Sequence, residues 1–149
     1  MQTITPATQE DIPQLCTLLA VLFTQEADFH ADAEKQSAAL TIIISRPATG
    51  CILVLRENTT IVGMISLLYT ISTACGGQVA LLEDMVVHPS RRNDGLGSQL
   101  LHAAIEQARC EGCMRITLLT DRANDPAIRF YQRQGFGLSE MIPLRLLFS

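Results

Sequence analysis

Leu15, Leu18, Leu19 and Leu22 return every three to four positions, a pattern that predicts an amphipathic helix. Thr8-Gln-Glu-Asp11, just before it, has capping-box spacing. Ahead of both, "TITPA" reads as a short strand. Behind them the polar stretch "FTQEADFHADAEKQ" gives way to apolar "SAALTIII", a second helix that stops at Arg46-Pro47. Cys51–Glu57 and Ile61–Tyr69 read as the two strands of a hairpin turning at Asn58-Thr-Thr. "QVALLEDMVV", 78–87, is a long strand after a turn at Gly76-Gly77. The period then switches: Leu96, Leu100, Leu101, Ala104, Ile105 and Ala108 trace one helical face that ends near Gly112. "RITLLT", 115–120, predicts a buried strand, and Asn124 or Asp125 caps a further helix with Pro126 at its first position and Gly135 past its end. "MIPLRLLF", 141–148, reads as a final strand in which Pro143 marks an edge or a bulge. The predicted order is βααβββαβαβ, a mixed α/β (α+β) class with helices covering a largely antiparallel central sheet.

A length of 149 residues predicts one domain, 1–149, and 48% hydrophobic content supplies its core. The net charge of −4, with Lys35 the only lysine, argues against nucleic acid as the main partner. Apolar runs fall well short of the roughly 18 residues a membrane span requires. The opening "MQTITPATQEDIP" lacks the basic-then-apolar layout of a secretory signal, so a cytoplasmic protein with reduced thiols is expected. Cys110-Glu-Gly-Cys113 has CxxC spacing without a second pair or a histidine in register, at the predicted end of a helix. It reads as two structural cysteines, and no metal site is expected.

The candidate chemistry begins at Arg92-Asn-Asp-Gly95-Leu-Gly97-Ser98, between the long strand and the third helix. Glycines there let the backbone approach a ligand and leave N–H groups pointing outward, where the helix dipole adds to their pull on an anion. A Walker A loop would need a lysine that Gly97-Ser98-Gln99 lacks, and the dinucleotide fingerprint would need glycine where Leu100 stands. A phosphate cradle and a helix start merely relieved by glycine both fit the loop alone.

"LLEDMVVHPSRRNDGLGSQLL" followed by "LLTDRANDPAIRFYQRQGF" resembles the GNAT superfamily of acetyl-CoA-dependent N-acyltransferases. Their loop, Arg/Gln-x-x-Gly-x-Gly/Ala, is met by Arg92, Gly95 and Gly97; their second signature is met by Asn124, Tyr131 and Gly135-Phe136. The likeness covers about residues 78–137 and is nearest in motif to diamine (spermidine-like) acetyltransferases, with those acting on phosphorylated glucosamine also similar. It implies a sheet of six to seven strands with about four helices, acetyl-CoA as cofactor, and a cofactor site of Met85, Val86, Val87, Arg92, Asn93, Asp94, Gly95, Leu96, Gly97, Ser98 and Asn124. Many relatives carry Arg-Gly-Lys/Arg-Gly at the loop, whereas Asn93 and Asp94 stand here. If it faced the ligand, Asp94 would cost on the order of 1 kcal/mol beside a polyphosphate.

Glu83-Asp84 interrupts an otherwise apolar strand, and buried carboxylates need partners or a purpose. Alternation points the two to opposite faces unless a bulge intervenes. A buried ion pair or a capping role is one account of them. The resemblance implies another, with Glu83 facing the substrate. A primary alkylamine is almost wholly ammonium at neutral pH, so a carboxylate that holds the cation and takes its proton, directly or through water, answers a chemical need. The resemblance further implies a main-chain donor near Met85 or Val86 for the charge developing on the carbonyl oxygen. It makes Tyr131 the acid for the leaving thiolate, although core packing would also explain a tyrosine there. Glu26 and Asp28, with His30, Asp32 and Glu34, form an acidic cluster that is either a solvated loop or, as the resemblance implies, the lining of the acceptor mouth, where Glu26, Asp28, Glu83 and Asp84 would bind the substrate.

The expected activity is acetyl transfer from acetyl-CoA to a primary amine of a small molecule, a diamine or polyamine favoured, by direct attack in a ternary complex. An acyl-CoA sensor without turnover, or an enzyme acting on an amino sugar or a protein amine, are the alternatives. The apolar final strand predicts a homodimer, since such an edge seeks a partner.

Overall fold

The structure is a computed structural model that describes residues 1–25 and 31–148. Two compact units divide the chain, residues 1–119 and those from Thr120 onward. The first opens with β1 (Gln2–Pro6), a single 3-10 turn (Gln9–Asp11), α1 (Ile12–Gln25) and α2 (Ala33–Ser45). Then come β2 (Gly50–Glu57), β3 (Thr60–Ser72), β4 (Gly77–Val87), α3 (Leu96–Cys110) and β5 (Ile116–Leu118). The second unit holds α4 (Asp125–Arg133).

The sheet runs in chain order, β1 to β5, antiparallel throughout except for the parallel pairing of β4 with β5. Five strands are therefore formed among the described residues, not six or seven. Residues 141–148 carry no strand, and the physical reason is local. Pro143 has no N–H to donate and a fixed φ, so the apolar run around it lacks the donors of a regular ladder. The dimer expected from an apolar edge strand loses that premise. The strand expected over 115–120 shortens to Ile116–Leu118, paired with Ala80, Leu81 and Leu82.

Each face of the sheet has its own core. Ile52, Val54, Met64 and Val86 pack with Ile12, Leu15, Leu18 and Leu19 of α1 and Leu40 of α2. On the other face lies α3, whose Leu96, Leu100, Leu101, Ala104 and Ala108 are buried. Gly63 brings that helix close: a Cβ there would sit 2.7 Å from Leu100 Cδ1. Gly50 is tighter still, because a Cβ would lie 2.2 Å from the main-chain oxygen of Leu67 on the neighbouring strand. Backbone cannot rotate away as a side chain can, so Gly50→Ala is expected to cost about 1–3 kcal/mol. The check is a lowered urea midpoint with an unchanged slope.

Capping follows the sequence closely. The Asp11 carboxylate accepts from the N–H of Thr8 at 2.8 Å, closing the expected box around the 3-10 turn. Asp32 caps α2, accepting from Lys35 N at 3.2 Å. One member of the acidic cluster thus serves a helix start. Glu26, Asp28 and His30 lie outside the described residues. No helix among the described residues is long and apolar enough to cross a membrane.

Candidate active site

The loop before α3 is built from left-handed backbone. Asn93 has φ 68° and Gly95, the N-cap of the helix, has φ 77°. Asparagine tolerates that region through its short polar side chain and glycine enters it without strain. A Cβ on Gly95 would meet nothing within 4 Å, so the space in front of the helix is open. The ladder of α3 begins with Gln99 N donating to Gly95 O at 3.2 Å. The amides of Leu96, Gly97 and Ser98 precede it, and a glycine N-cap offers them no side-chain acceptor. Oriented amides at the positive end of a helix dipole, with open space before them, fit the diphosphate of coenzyme A.

The charges beside the loop are arranged to leave that end available. Arg91 pairs with Glu57 at the end of β2 and, through Nε at 3.2 Å, with the Asp94 carboxylate. Asp94 therefore stands next to a cation, which offsets the repulsion expected between its charge and a phosphate. Sequence reading missed Arg91 because its partner Glu57 is far away in the chain. Arg92 Nε donates to Val87 O at 3.3 Å, tying the loop to the end of β4. His88 accepts from Ser90 N through Nδ1 and caps the short turn at Pro89–Arg91, the turn role its place before proline suggests. Gly95→Val should add left-handed strain and fill the open space. It is expected to weaken acetyl-CoA binding about tenfold or more, about 1.4 kcal/mol, in calorimetry.

The second feature is a bulge in β4. Leu67 pairs with Leu82 and Ser66 pairs with Asp84, which leaves Glu83 as an extra residue. Leu82 shares the face of Leu67, so alternation turns Glu83 to the opposite face, and the extra residue brings Asp84 to that same face. Both carboxylates thus point to the α1/α2 side, not to opposite sides. Asp84 is half-buried and bonded to Ser66, whose Oγ donates to Oδ2 at 3.2 Å and accepts from the Asp84 N–H at 3.1 Å. Glu83 is exposed, and its side chain has no hydrogen-bond or ion-pair partner among the described residues.

The bulge coincides with the parting of two strands. The β4–β5 ladder ends at Leu82 with Leu118, while β4 continues through Asp84, Met85, Val86 and Val87 against β3. Beyond Leu82, in the stretch that carries both carboxylates, the described ladder of β4 is with β3 alone.

The second signature lies in the second unit. Asn124 caps α4, its Oδ1 accepting from Ala127 N at 3.2 Å, as its N-cap reading requires. Pro126 sits in the first turn and Gly135, at φ 103°, follows the end. Tyr131 stacks edge-on with Phe130 and Phe136, at centroid separations of 5.2 and 5.7 Å. The five cysteines are free thiols, and burial pushes Cys16 and Cys51 upward in pKa. Among the described residues no three histidine, cysteine or acidic side chains group as a metal site.

The chain as a whole is similar to known proteins. Residues 12–136 match the Acetyltransferase (GNAT) family. The aminoalkylphosphonate N-acetyltransferase of Salmonella typhimurium is 34% identical over 87% of this chain and 81% of its own length. The glucosamine 6-phosphate N-acetyltransferase of Trypanosoma brucei brucei is 31% identical over 74% of this chain and 67% of its own. Among solved structures, an integron cassette protein from a salt-marsh metagenome superposes with a TM-score of 0.85 at 26% identity, covering 98% of this chain and 90% of that one. The nearness to diamine acetyltransferases expected from the motifs is not what these relatives' names bear. With a helix start shaped for a diphosphate and a bulged strand that carries two carboxylates, the chain belongs to the acetyltransferase (GNAT) family and is an acetyl-CoA-dependent N-acetyltransferase.

Proposed function

We propose that the chain acetylates the primary amine of a small cationic acceptor, by direct attack in a ternary complex, with Glu83 as the proton acceptor. The observation that carries this reading is the bulge, which turns Glu83 and Asp84 to one face where β4 leaves β5. When bound, acetyl-CoA supplies a thioester carbonyl for attack. The amides at the head of α3 hold the diphosphate, with Arg92, Asn93 and Asp94 shaping the approach. Glu83 takes the proton that an ammonium must lose before its lone pair is available. A main-chain amide at Met85 or Val86, with Val87 continuing the strand, stabilises charge developing on the carbonyl oxygen. Tyr131 protonates the departing thiolate and Asn124 contacts the pantetheine arm; both roles come from the family signature. Residues 1–149 act as one acetyltransferase domain, a reading supported by a family match that runs across both units.

The charge pattern of the first unit supports a cationic acceptor. Helix α1 has no charged residue, so Glu83 and Asp84 meet no cation from it. Three of the first unit's arginines are already engaged, Arg56 with Asp11, Arg91 with Glu57 and Asp94, and Arg109 with Glu106, while Lys35 and Arg46 belong to α2 and its end. A phosphonate or phosphate on the acceptor, as in the relatives' named substrates, would meet like charge at the bulge. The test is a panel of a diamine, an aminoalkylphosphonate and glucosamine 6-phosphate with free-thiol detection. We expect the highest kcat/KM for the diamine and a KM that rises with salt. Preference for either anionic acceptor would refute the cationic reading. No turnover alongside tight acetyl-CoA binding would instead favour a sensor.

A further inference from the structure

Ser66 is the one polar residue in the buried run from Ile61 to Leu67, and it is only 1% exposed. It stands across from the position where β4 changes phase. A bulge leaves a main-chain group without its ordinary ladder partner, and here a hydroxyl replaces that partner. The same oxygen accepts from the Asp84 N–H at 3.1 Å and donates to Asp84 Oδ2 at 3.2 Å. One hydroxyl supplies both functions, which alanine, valine or isoleucine at this buried site would not.

We propose that Ser66 is a positioning residue for acyl transfer: it locks the β4 bulge and engages the Asp84 carboxylate, leaving Glu83 as the carboxylate presented to the acceptor amine. The inference rests on the reading of Glu83 as proton acceptor. Its logic is a division of labour between two adjacent acids on one face. Two carboxylates side by side repel each other. A donor fixed on one of them relieves the conflict and sets which of the pair is anchored and which reaches outward. Ser66 also holds the backbone at the register shift, so the direction of the Glu83 side chain depends on it. No atom of Ser66 has to meet the acceptor for this to hold.

The test uses Ser66→Ala, Asp84→Asn and the double variant in the full chain, with two readouts. The first is hydrogen exchange at the Asp84 amide, followed by NMR; the second is steady-state kinetics with a diamine. We expect Ser66→Ala to speed Asp84 exchange about tenfold and to lower kcat about tenfold, with KM for acetyl-CoA within about twofold of the parent chain. The kinetic loss from Ser66→Ala should shrink at least threefold when Asp84 is already asparagine, because the hydroxyl acts through that side chain. A merely structural role predicts additive losses that track the folded fraction, and that result overturns the proposal. So does a kcat within twofold of the parent. An Asp84 amide indifferent to Ser66→Ala defeats the bulge lock while leaving the Glu83 reading intact. A parent chain silent on every amine defeats the Glu83 reading, and the proposal with it.

Discussion

Glu83→Gln is expected to lower kcat for a primary amine by about 10²–10⁴-fold at neutral pH, with acetyl-CoA affinity unchanged within about twofold. Glutamine keeps the size of the side chain but removes both its negative charge and its ability to take a proton, so KM for a cationic amine should rise as well. The head of α3 and the Ser66–Asp84 bonds remain, so neither cofactor binding nor the bulge should suffer. The pH profile adds a sign. A free alkylamine becomes available unaided only as pH rises toward its pKa near ~10. Activity of the variant should therefore climb with pH more steeply than that of the parent and recover part of the deficit in alkaline buffer. Equal activity at neutral pH would place the proton acceptor elsewhere.

Arg56→Met should cost about 1–3 kcal/mol of stability, because it leaves a buried carboxylate without its charged hydrogen-bond donor while the guanidinium it removes is itself only partly buried. Asp11 is 6% exposed, and its carboxylate takes Arg56 Nη1 at 2.8 Å and Nη2 at 2.5 Å besides the Thr8 N–H at 2.8 Å. Arg56 also reaches Thr5 Oγ1 at 3.3 Å, so β1, the turn before α1 and β2 meet at one guanidinium. Above all, the hydrogen bonds from Arg56 hold the Asp11 carboxyl below the usual carboxylate range. A depressed carboxyl binds fewer protons folded than unfolded. Its contribution is thus complete above about pH 4–5, the unfolded range, and lost as pH falls through the folded value. The parent chain should lose stability on acidification from about pH 4. Without the guanidinium the same buried carboxylate is penalised by desolvation, so the variant should show a weaker acid loss in this window. Urea unfolding at several pH values measures both.

Much of the architecture was legible before any coordinates. The leucine period of α1, the caps at Asp11 and Asn124, the hairpin at Asn58 and the glycine-led start of α3 all follow from interactions within a few residues. The loop glycines announced a cradle for the same reason: a left-handed N-cap is a property of one residue and its neighbours. Three features stayed hidden. The apolar run 141–148 has the composition of a strand, and Pro143 within it signals only a bulge or an edge, so nothing local shows that the run stays unpaired. Asp94 looked exposed to a phosphate, since its relief by Arg91 is steered by Glu57 at the end of another strand. Ser66 gave a faint signal, a hydroxyl in an apolar run, that becomes meaningful only opposite Asp84.

The sequence by itself determined most of the elements, all but the strand expected over 141–148, together with where the helices begin and which residue types carry the chemistry, because these depend on local spacing, backbone freedom and composition. Only the tertiary structure decided that Glu83 and Asp84 share a face, that Ser66 binds one of them, and that β4 parts from β5 immediately beside them. Those facts are matters of register between strands 18 or more residues apart in the chain. A shift of a single residue in register exchanges one face of the sheet for the other, and no local pattern records it.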